Sequence, residues 1–383
     1  MGRRSVYRGR LLLLALLLLG VVWLGHSLGW EGIRARFSPA PESLTIEQQT
    51  EKLIADMTPE EKIGQLLMIG IQGTEVNDDS RYMLNAYHAG GIILFDRNVV
   101  SLEQVTELNR GLQACSPKVP LFIAIDEEGG NVSRMKNAMP SAPSEEEIGR
   151  SGDPALAGQW AGRVGTRLRE CGFNVDFAPV ADIAMPYGRS YSREAGVAAE
   201  FVQAAADGYR QAGIFYSLKH FPGIGRGAVD SHIDAVTVTA SREEREQTDF
   251  APFRQRIAAD DPDGWFVMVS HLTYPALDKD APASLSAKIV TGLLREEMGW
   301  QGLIITDDME MGAISHHYSF GEAAVRAVQA GVDVVLVCHE YEHEQAAYDA
   351  LLQALRDGTL REQRVDESLR RILRAKLQLA ARE

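Results

Sequence analysis

The chain has 383 residues, of which 45% are hydrophobic and 24% are charged, a composition typical of a globular protein with a large core. The formal net charge is -14 and basic residues cluster only in the first ten positions, which argues against a nucleic-acid partner. The three cysteines, Cys115, Cys171 and Cys338, are widely spaced and form no CxxC pair, so they indicate buried free thiols and not a zinc site or a disulfide framework.

The first 30 residues form a separate segment. A basic stretch, "MGRRSVYRGR", precedes the uncharged run "LLLLALLLLGVVWLG", which approaches the roughly 20 residues of a membrane span when "HSLGW" is added. Because neither an A-x-A site nor a lipidation cysteine follows, we interpret residues 1–30 as an uncleaved anchor, with a cleaved secretory signal as the alternative. Arginines held in the cytoplasm would place the remaining chain outside it. This predicts a protein on the inner membrane facing the periplasm or exterior, or a secreted one if the segment is cleaved.

Residues 31–44 read as a linker, and the main folded domain is predicted to occupy residues 45–383. Its first clear helix starts in "MTPEEKIGQ", where Thr58 is a predicted N-cap, Pro59 takes the first helical position and Glu61 completes a capping box. "RVDESLRRILRAKLQLAARE" reads as a closing amphipathic helix, and no internal repeat is present.

Between these helices, short apolar runs rich in β-branched residues alternate with helical patterns such as "LAGQWAGRVGTRLREC". Near-continuous apolar strands that alternate with helices indicate a parallel sheet covered on both faces. Eight such units predict an α/β fold of the (β/α)8 TIM-like barrel type, with a doubly wound open sheet as the alternative. The eight runs are "QLLMIGI", "GGIILF", "PLFIAID", "FNVDFAPVAD", "FYSLKHF", "GWFVMVSH", "GLIITDD" and "VDVVLV".

Polar side chains follow five of these runs at the points where the predicted strands end. In a barrel of this type the carboxyl ends of the strands carry the chemistry. A single Asp after a strand is often only a helix cap, but five strand ends together favour a functional site. The residues are Asp126, Asp182, the pair Lys219 and His220, His271 and Asp307.

The stretch "SLKHFPGIGRGAVDSHID" is rich in glycine and places Asp230 two residues before His232. A histidine whose other nitrogen is held by a carboxylate can exchange protons near neutral pH, and a carboxylate at a strand end can attack an electrophilic carbon. Asp307 and His232 suit these two roles, with Asp230 setting the imidazole tautomer. The glycines at 223, 225 and 227 are expected to give the loop the freedom to carry an acid/base over the pocket.

The motifs "IDEEGGNVSRM", "FAPVADI", "GRSY", "KHFPGIG" followed by "DSH", "MVSH" and "ITDDMEM" occur in this order. Together they resemble the β-N-acetylhexosaminidase branch of glycoside hydrolase family 3, from about Thr45 to the C-terminus. The resemblance implies that Asp307 is the nucleophile and that Asp230 and His232 supply the acid/base. It also implies substrate contacts by Asp126, Arg134, Arg189, Lys219 and His220.

The implied reaction is retaining hydrolysis of a terminal, non-reducing β-linked N-acetylglucosamine, with no cofactor and no metal. Asp307 would form a glycosyl-enzyme while His232 protonates the leaving oxygen and then activates water. The expected partner is a carbohydrate, and an extracytoplasmic location favours fragments derived from peptidoglycan. The sequence gives no indication of the oligomeric state.

Two positions depart from the usual family pattern: Ile224 replaces a histidine of the loop, and Asn131 replaces an arginine.

Three alternative functions stand beside the main interpretation. One is a β-glucosidase of the same superfamily, against which the Asp-x-His pair argues. Another is a magnesium-dependent barrel enzyme that uses Asp307, Asp308 and Glu310, although adjacent strand residues point to opposite faces. The third is a membrane-tethered wall-binding protein that has lost activity.

Overall fold

The structure is a computed structural model that describes residues 44–225, 237–259 and 262–381, with a few positions between 17 and 23. Residues Ile46–Glu383 form one compact unit. Its centre is a set of short parallel strands whose side chains are almost all buried. These are β1 (Leu67–Gly70), β2 (Gly91–Leu94), β3 (Phe122–Ile125), β4 (Val175–Asp176), β5 (Phe215–Phe221), β6 (Trp265–Val269), β7 (Leu303–Asp308) and β8 (Val334–Val337).

The eight strands close into a barrel. Each strand pairs in parallel with its neighbours in chain order, and β8 returns to β1 with Leu67 opposite Val335. Closure removes both sheet edges, so the open doubly wound alternative is wrong and the predicted (β/α)8 barrel is confirmed. All eight apolar runs predicted as strands contribute to this barrel.

Helices surround the barrel and occupy the predicted positions. At Thr58 the side chain accepts from the N–H of Glu61 at 3.2 Å, and the Glu61 carboxylate accepts from the N–H of Thr58 at 3.0 Å. The predicted capping box is therefore present. The described α-helices are Ile46–Asp56, Pro59–Gly64, Asp78–Tyr87, Leu102–Ala114, Glu145–Gly149, Pro154–Glu170, Ala195–Ala212, Arg242–Gln247, Ala251–Ala259, Gly312–Ser315, Phe320–Ala330, Tyr341–Asp357 and Glu362–Ala380.

Smaller elements complete the described chain. Short antiparallel hairpins join Glu127–Gly129 to Val132–Ser133 and Thr273–Tyr274 to Asp278–Pro282. A π-helix spans Lys288–Glu297. Asp96–Asn98 and Ala283–Leu285 are 3-10 turns.

The fourth strand is shorter than its apolar run predicts. Continuous pairing stops at Asp176. Beyond it, the N–H of Ser217 donates to the carbonyl of Ala178 at 3.1 Å, and a single bridge joins Val180 to Lys219. Pro179 lies between these points and has no N–H to donate to the ladder, which accounts for the interruption. The irregular stretch carries Asp182 to the upper, carboxyl end of the barrel.

The lower, amino end of the barrel is filled with aromatic rings and closed by the last helix. Phe122 and Phe266 meet edge to face with their ring centres 5.3 Å apart. From Glu362–Ala380, Lys376 extends its ammonium group to Gln65 Oε1 at 2.7 Å and to the carbonyl of Gly90 at 2.6 Å. The predicted closing helix therefore covers this end of the barrel.

The prediction of buried free thiols holds for two of the three cysteines. Cys171 and Cys338 are buried free thiols as predicted, whereas Cys115 is only partly buried.

Most of the predicted anchor, residues 1–30, and of the linker, residues 31–44, lies outside the described residues. Among the residues that the structure does describe, no helix combines the length and apolar character needed to cross a bilayer. The predicted division into anchor, linker and catalytic domain stays a prediction.

Candidate active site

Polar side chains from several strands meet at the upper end of the barrel. Asp126 directly follows β3, Lys219 and His220 lie within β5, and Asp307 lies near the end of β7. Lys219 Nζ donates to Asp126 Oδ1 at 2.7 Å, and His220 Nε2 lies 4.0 Å from Asp307 Oδ2. The structure thus brings together the strand-end residues that the sequence singled out.

Glu128 organises two of the basic residues predicted to contact substrate. Its carboxylate accepts two hydrogen bonds from Arg189, both at 2.8 Å, and pairs with Lys219 Nζ at 2.7 Å. Burial raises the pKa of Glu128, but the charges of Lys219 and Arg189 outweigh it and hold the pKa far below its ordinary value. Burial lowers the pKa of Lys219, but Asp126 and Glu128 raise it above its ordinary value. All three groups are therefore charged at neutral pH.

Glu127 positions the third basic residue, Arg134, through the backbone. Its carboxylate accepts from the N–H groups of Arg134 at 2.8 Å and Met135 at 2.9 Å and from the Ser133 hydroxyl at 2.5 Å. These contacts close the hairpin that follows β3. The Arg134 guanidinium lies 3.8 Å from Asp126 Oδ2, at the edge of the site.

Asp307 is largely shielded from solvent, with 17% of its side chain exposed. Its Oδ1 accepts from the N–H of Asp308 at 3.0 Å, while Oδ2 faces His220. Burial raises the pKa of Asp307, but the imidazole of His220, the N–H of Asp308 and the ammonium of Lys219 together lower it below its ordinary value. The carboxylate is thus ionised and available as a nucleophile.

His271 supports the strand that carries Asp307. Its Nε2 donates to the carbonyl of Asp308 at 2.9 Å, which leaves Nδ1 to accept from the Ser284 hydroxyl at 2.7 Å. Burial lowers the pKa of His271, so the ring is neutral and both of its nitrogens are occupied. His271 therefore supports the end of β7 from a position beside the site.

Asp182 connects His220 with the glycine-rich loop. Its Oδ2 accepts from His220 Nδ1 at 2.6 Å and from the His220 backbone N–H at 3.2 Å. Its Oδ1 accepts from the N–H of Ile224 at 2.7 Å. With only 2% of the residue exposed, these donors surround a buried carboxylate.

The described glycines of the loop serve close packing. A Cβ at position 225 would lie 1.9 Å from the carbonyl oxygen of Ile183, and one at position 223 would lie 2.7 Å from Cβ of Asp249. Gly223 also has a φ of +108°, in a region that favours glycine. Close packing therefore accounts for these two glycines, and the expected freedom of the loop stays a prediction. Gly227, Asp230 and His232 lie outside the described residues.

Asp308, Glu310 and His339 form an acidic cluster beside the site, with one ligand atom of each within 4.8 Å of the others. The two oxygens of Glu310 already accept from three successive backbone N–H groups, those of residues 338–340, at 2.5–3.1 Å. His339 Nδ1 accepts from Arg97 at 3.0 Å, so its other nitrogen donates toward Asp308. A cation would have to displace these donors, and the residues do not fit a magnesium site.

Asp182, Glu127 and Glu128 are the site residues that sequence reasoning did not assign. Asp182 was singled out only as a strand end. Glu127 and Glu128 belong to a run of three acidic residues, which ordinarily indicates a solvated surface. The signal that could have revealed them is their place directly after an apolar strand, where a run of acids requires basic partners.

Comparison with known proteins identifies the family that the motifs resemble. The model of the Glycosyl hydrolase family 3 N terminal domain matches residues 58–375. The chain belongs to glycoside hydrolase family 3. A β-hexosaminidase of Stenotrophomonas maltophilia is 34% identical over 306 residues, which cover 77% of this chain and 90% of the relative.

Solved structures agree with this membership. A glycoside hydrolase family 3 β-N-acetylglucosaminidase from Paenibacillus is 41% identical, with a TM-score of 0.82 over 85% of this chain. This chain spans 64% of that structure's length. LpqI of Mycobacterium tuberculosis is 32% identical, with a TM-score of 0.79 over 88% of this chain and 98% of the solved one. The family 3 barrel thus extends over nearly the whole described chain.

Proposed function

We propose that this family 3 glycoside hydrolase releases terminal, non-reducing β-linked N-acetylglucosamine with retention of configuration. The observation that carries the proposal is the ionised carboxylate of Asp307, shielded at the end of β7 and facing His220 across 4.0 Å. The names of the β-hexosaminidase and β-N-acetylglucosaminidase relatives support the choice of sugar.

In the first step Asp307 attacks the anomeric carbon as the bond to the leaving oxygen breaks. His232 gives a proton to that oxygen, so the alcohol leaves neutral and a glycosyl ester forms on Asp307. His232 then takes a proton from water, which attacks the anomeric carbon and restores the carboxylate. The roles of His232 and Asp230 rest on the motif resemblance.

The basic residues of the site suit the recognition of an uncharged sugar. Lys219 and Arg189 are fixed by Glu128, so their remaining N–H groups keep their directions before substrate binds. Asp126 and Arg134 lie beside them at the pocket edge. Hydroxyl and N-acetyl oxygens accept hydrogen bonds from such donors, and Asp126 can accept one from a hydroxyl.

Hydrolysis of chromogenic aryl glycosides tests this function. The N-acetyl-β-glucosaminide should be cleaved at least about 100-fold better than the β-glucoside, because a site built to bind a polar substituent discriminates against its absence. A chelator should not change the rate, since the oxygens of Glu310 are already occupied by backbone donors. Preference for the glucoside would indicate a β-glucosidase, and absence of all turnover would indicate a wall-binding protein.

We also propose that the enzyme acts outside the cytoplasm on fragments derived from peptidoglycan, held at the inner membrane by residues 1–30. The support is the basic and apolar pattern of that segment. Protease added to spheroplasts should digest the catalytic domain while a cytoplasmic marker survives. Full protection of the domain in intact spheroplasts, with digestion after lysis, would contradict this topology.

A further inference from the structure

Asp182 is a buried carboxylate that accepts three hydrogen bonds from two parts of the upper barrel end, although it lies outside the set of predicted substrate contacts. Two of the donors belong to His220, whose other ring nitrogen, Nε2, lies 4.0 Å from Asp307 Oδ2. The third donor is the N–H of Ile224, near the start of the glycine-rich loop that follows β5. One side chain therefore touches both the histidine and the loop.

The position of Asp182 is itself fixed by its neighbours. The N–H of Ala181 donates to the carbonyl of Lys219 at 2.7 Å, and the N–H of Val180 donates to Glu145 at 2.8 Å. The Ser190 hydroxyl donates to the carbonyl of Asp182 at 2.8 Å. A residue held in this way can set the direction of the groups that bind to it.

The first consequence concerns the tautomer of His220. Because Nδ1 donates to Asp182, a neutral ring carries its proton there and turns Nε2 toward Asp307, 4.0 Å away. The opposite tautomer would direct an N–H at the nucleophile. A hydrogen bond of that kind would reduce the reactivity of the Asp307 carboxylate, whereas an unprotonated Nε2 can accept from a sugar hydroxyl.

The second consequence concerns the start of the loop. The bond from Ile224 to Asp182 lies beside the close contact between Gly225 and the backbone of Ile183. The same carboxylate that orients the histidine thus holds the first residues of the loop against the segment after Asp182.

We propose that Asp182 is a positioning residue, which holds the Nδ1–H of His220, turns Nε2 toward the nucleophile and ties the start of the loop to the same point. The inference rests on the proposed function for its kinetic effect. Its effect on the tautomer of His220 does not depend on which substrate the enzyme takes.

The direct test is nitrogen NMR of the histidine rings in the full-length protein. Comparison with His220→Ala assigns the His220 signals among the nine histidines. In the wild type, Nδ1 of His220 should be protonated. In Asp182→Asn the amide can direct its NH2 group at the ring, and the two signals should exchange or average. A wild-type ring protonated only on Nε2 overturns the proposal, even if Asp182→Asn does not fold.

Kinetics supply the second readout, in the form of a double-mutant cycle. Asp182→Asn should lower kcat for the aryl N-acetyl-β-glucosaminide about 10- to 100-fold, the range expected when buried donors lose a charged acceptor. In the His220→Ala background the same change should cost clearly less, because the two residues act together. Equal costs in both backgrounds would show a merely structural role and overturn the proposal.

The matched control is Asp333→Asn. Asp333 is equally buried but directly precedes β8, at the opposite end of the barrel, where it binds Arg295 at 2.5 Å. This variant should lose stability without a change in kcat or in the His220 signals. A wild-type enzyme that releases no N-acetylglucosamine would contradict the proposed function, while the NMR result would still decide the role of Asp182.

Discussion

Asp307 and Asp308 are neighbours in sequence with different surroundings. Asp307 Oδ2 faces His220, whereas Asp308 Oδ2 lies 3.3 Å from Nε2 of His339. Successive side chains of a strand tend to point to opposite faces, and the two carboxylates accordingly meet different partners. The geometry supports Asp307 as the nucleophile.

Replacing Asp307 with Ala should therefore lower kcat by at least about 10³-fold, because the covalent step loses its nucleophile. Asp308→Ala should cost about 10-fold or less, since it removes contacts to His339 and to the N–H of Glu310 but none to the Asp307 carboxylate's other partners. Steady-state kinetics measure both, with thermal unfolding as the check that each variant is folded. A larger loss in Asp308→Ala would move the nucleophile by one residue.

At this scale the sequence predicted which residues meet but not what holds them. Apolar runs that end in Asp, Lys or His identify strand ends, and the barrel brings such ends together. The bonds from Glu128 to Arg189 join residues 61 positions apart, and those from Asp182 to His220 span 38 positions. No local pattern encodes such pairings, which depend on loop paths.

The start of the loop after β5 contacts the site through its backbone. The side chain of Ile224 packs against the hydrophobic core, while its N–H donates to Asp182. The functional contact thus belongs to the backbone. An isoleucine at this position is therefore compatible with the anchoring of the loop.

Ile224→Ala should accordingly keep kcat and KM within about threefold, while unfolding becomes easier by roughly 1–2 kcal/mol through lost apolar contact. Ile224→Pro removes the N–H and should lower kcat at least tenfold. Parallel measurements of kinetics and chemical denaturation separate the two effects. Activity that falls in Ile224→Ala as far as in Ile224→Pro would assign the role to the side chain.

For the whole molecule, the alternation of eight apolar runs with helical patterns predicted the closed barrel. The last helix was also predicted, but the insertion of its Lys376 side chain into the lower end of the barrel was not. Lys376 is 1% exposed, and its ammonium group lies 5.1 Å from the Phe122 ring centre. Burial lowers the pKa of Lys376 to about 7. A lysine in the last helix ordinarily indicates a solvated face, so its burial could not be predicted locally.

The buried Lys376 should make the free energy of unfolding depend on pH. Between pH 7 and the ordinary value of 10.5, Lys376 is neutral in the folded chain and charged in the unfolded one. The unfolded state then binds more protons, so the contribution of Lys376 to stability rises with pH, by at most about 1.4 kcal/mol per pH unit. The difference in unfolding free energy between wild type and Lys376→Met should change by this slope from pH 7 to pH 10.

Lys62→Met is the control, because Lys62 is also buried but pairs with Glu362 and Asp366, both at 2.8 Å. Burial lowers the pKa of Lys62, but these carboxylates raise it above its ordinary value. Its contribution should stay constant up to about pH 10 and be lost only as the pH rises further. A flat difference for Lys376→Met would show that its amine is charged in the folded state.

In the proposed mechanism, hydrolysis proceeds through a glycosyl ester on Asp307 with His232 as acid/base. His232→Ala, mixed with an aryl N-acetyl-β-glucosaminide that carries an activated leaving group, tests it most directly. The aryl group should depart without protonation, and the ester should accumulate because no base activates water. Mass spectrometry should find one N-acetylglucosaminyl group on the protein, located on the peptide with Asp307. Turnover without an adduct, or an adduct on another residue, would contradict the mechanism.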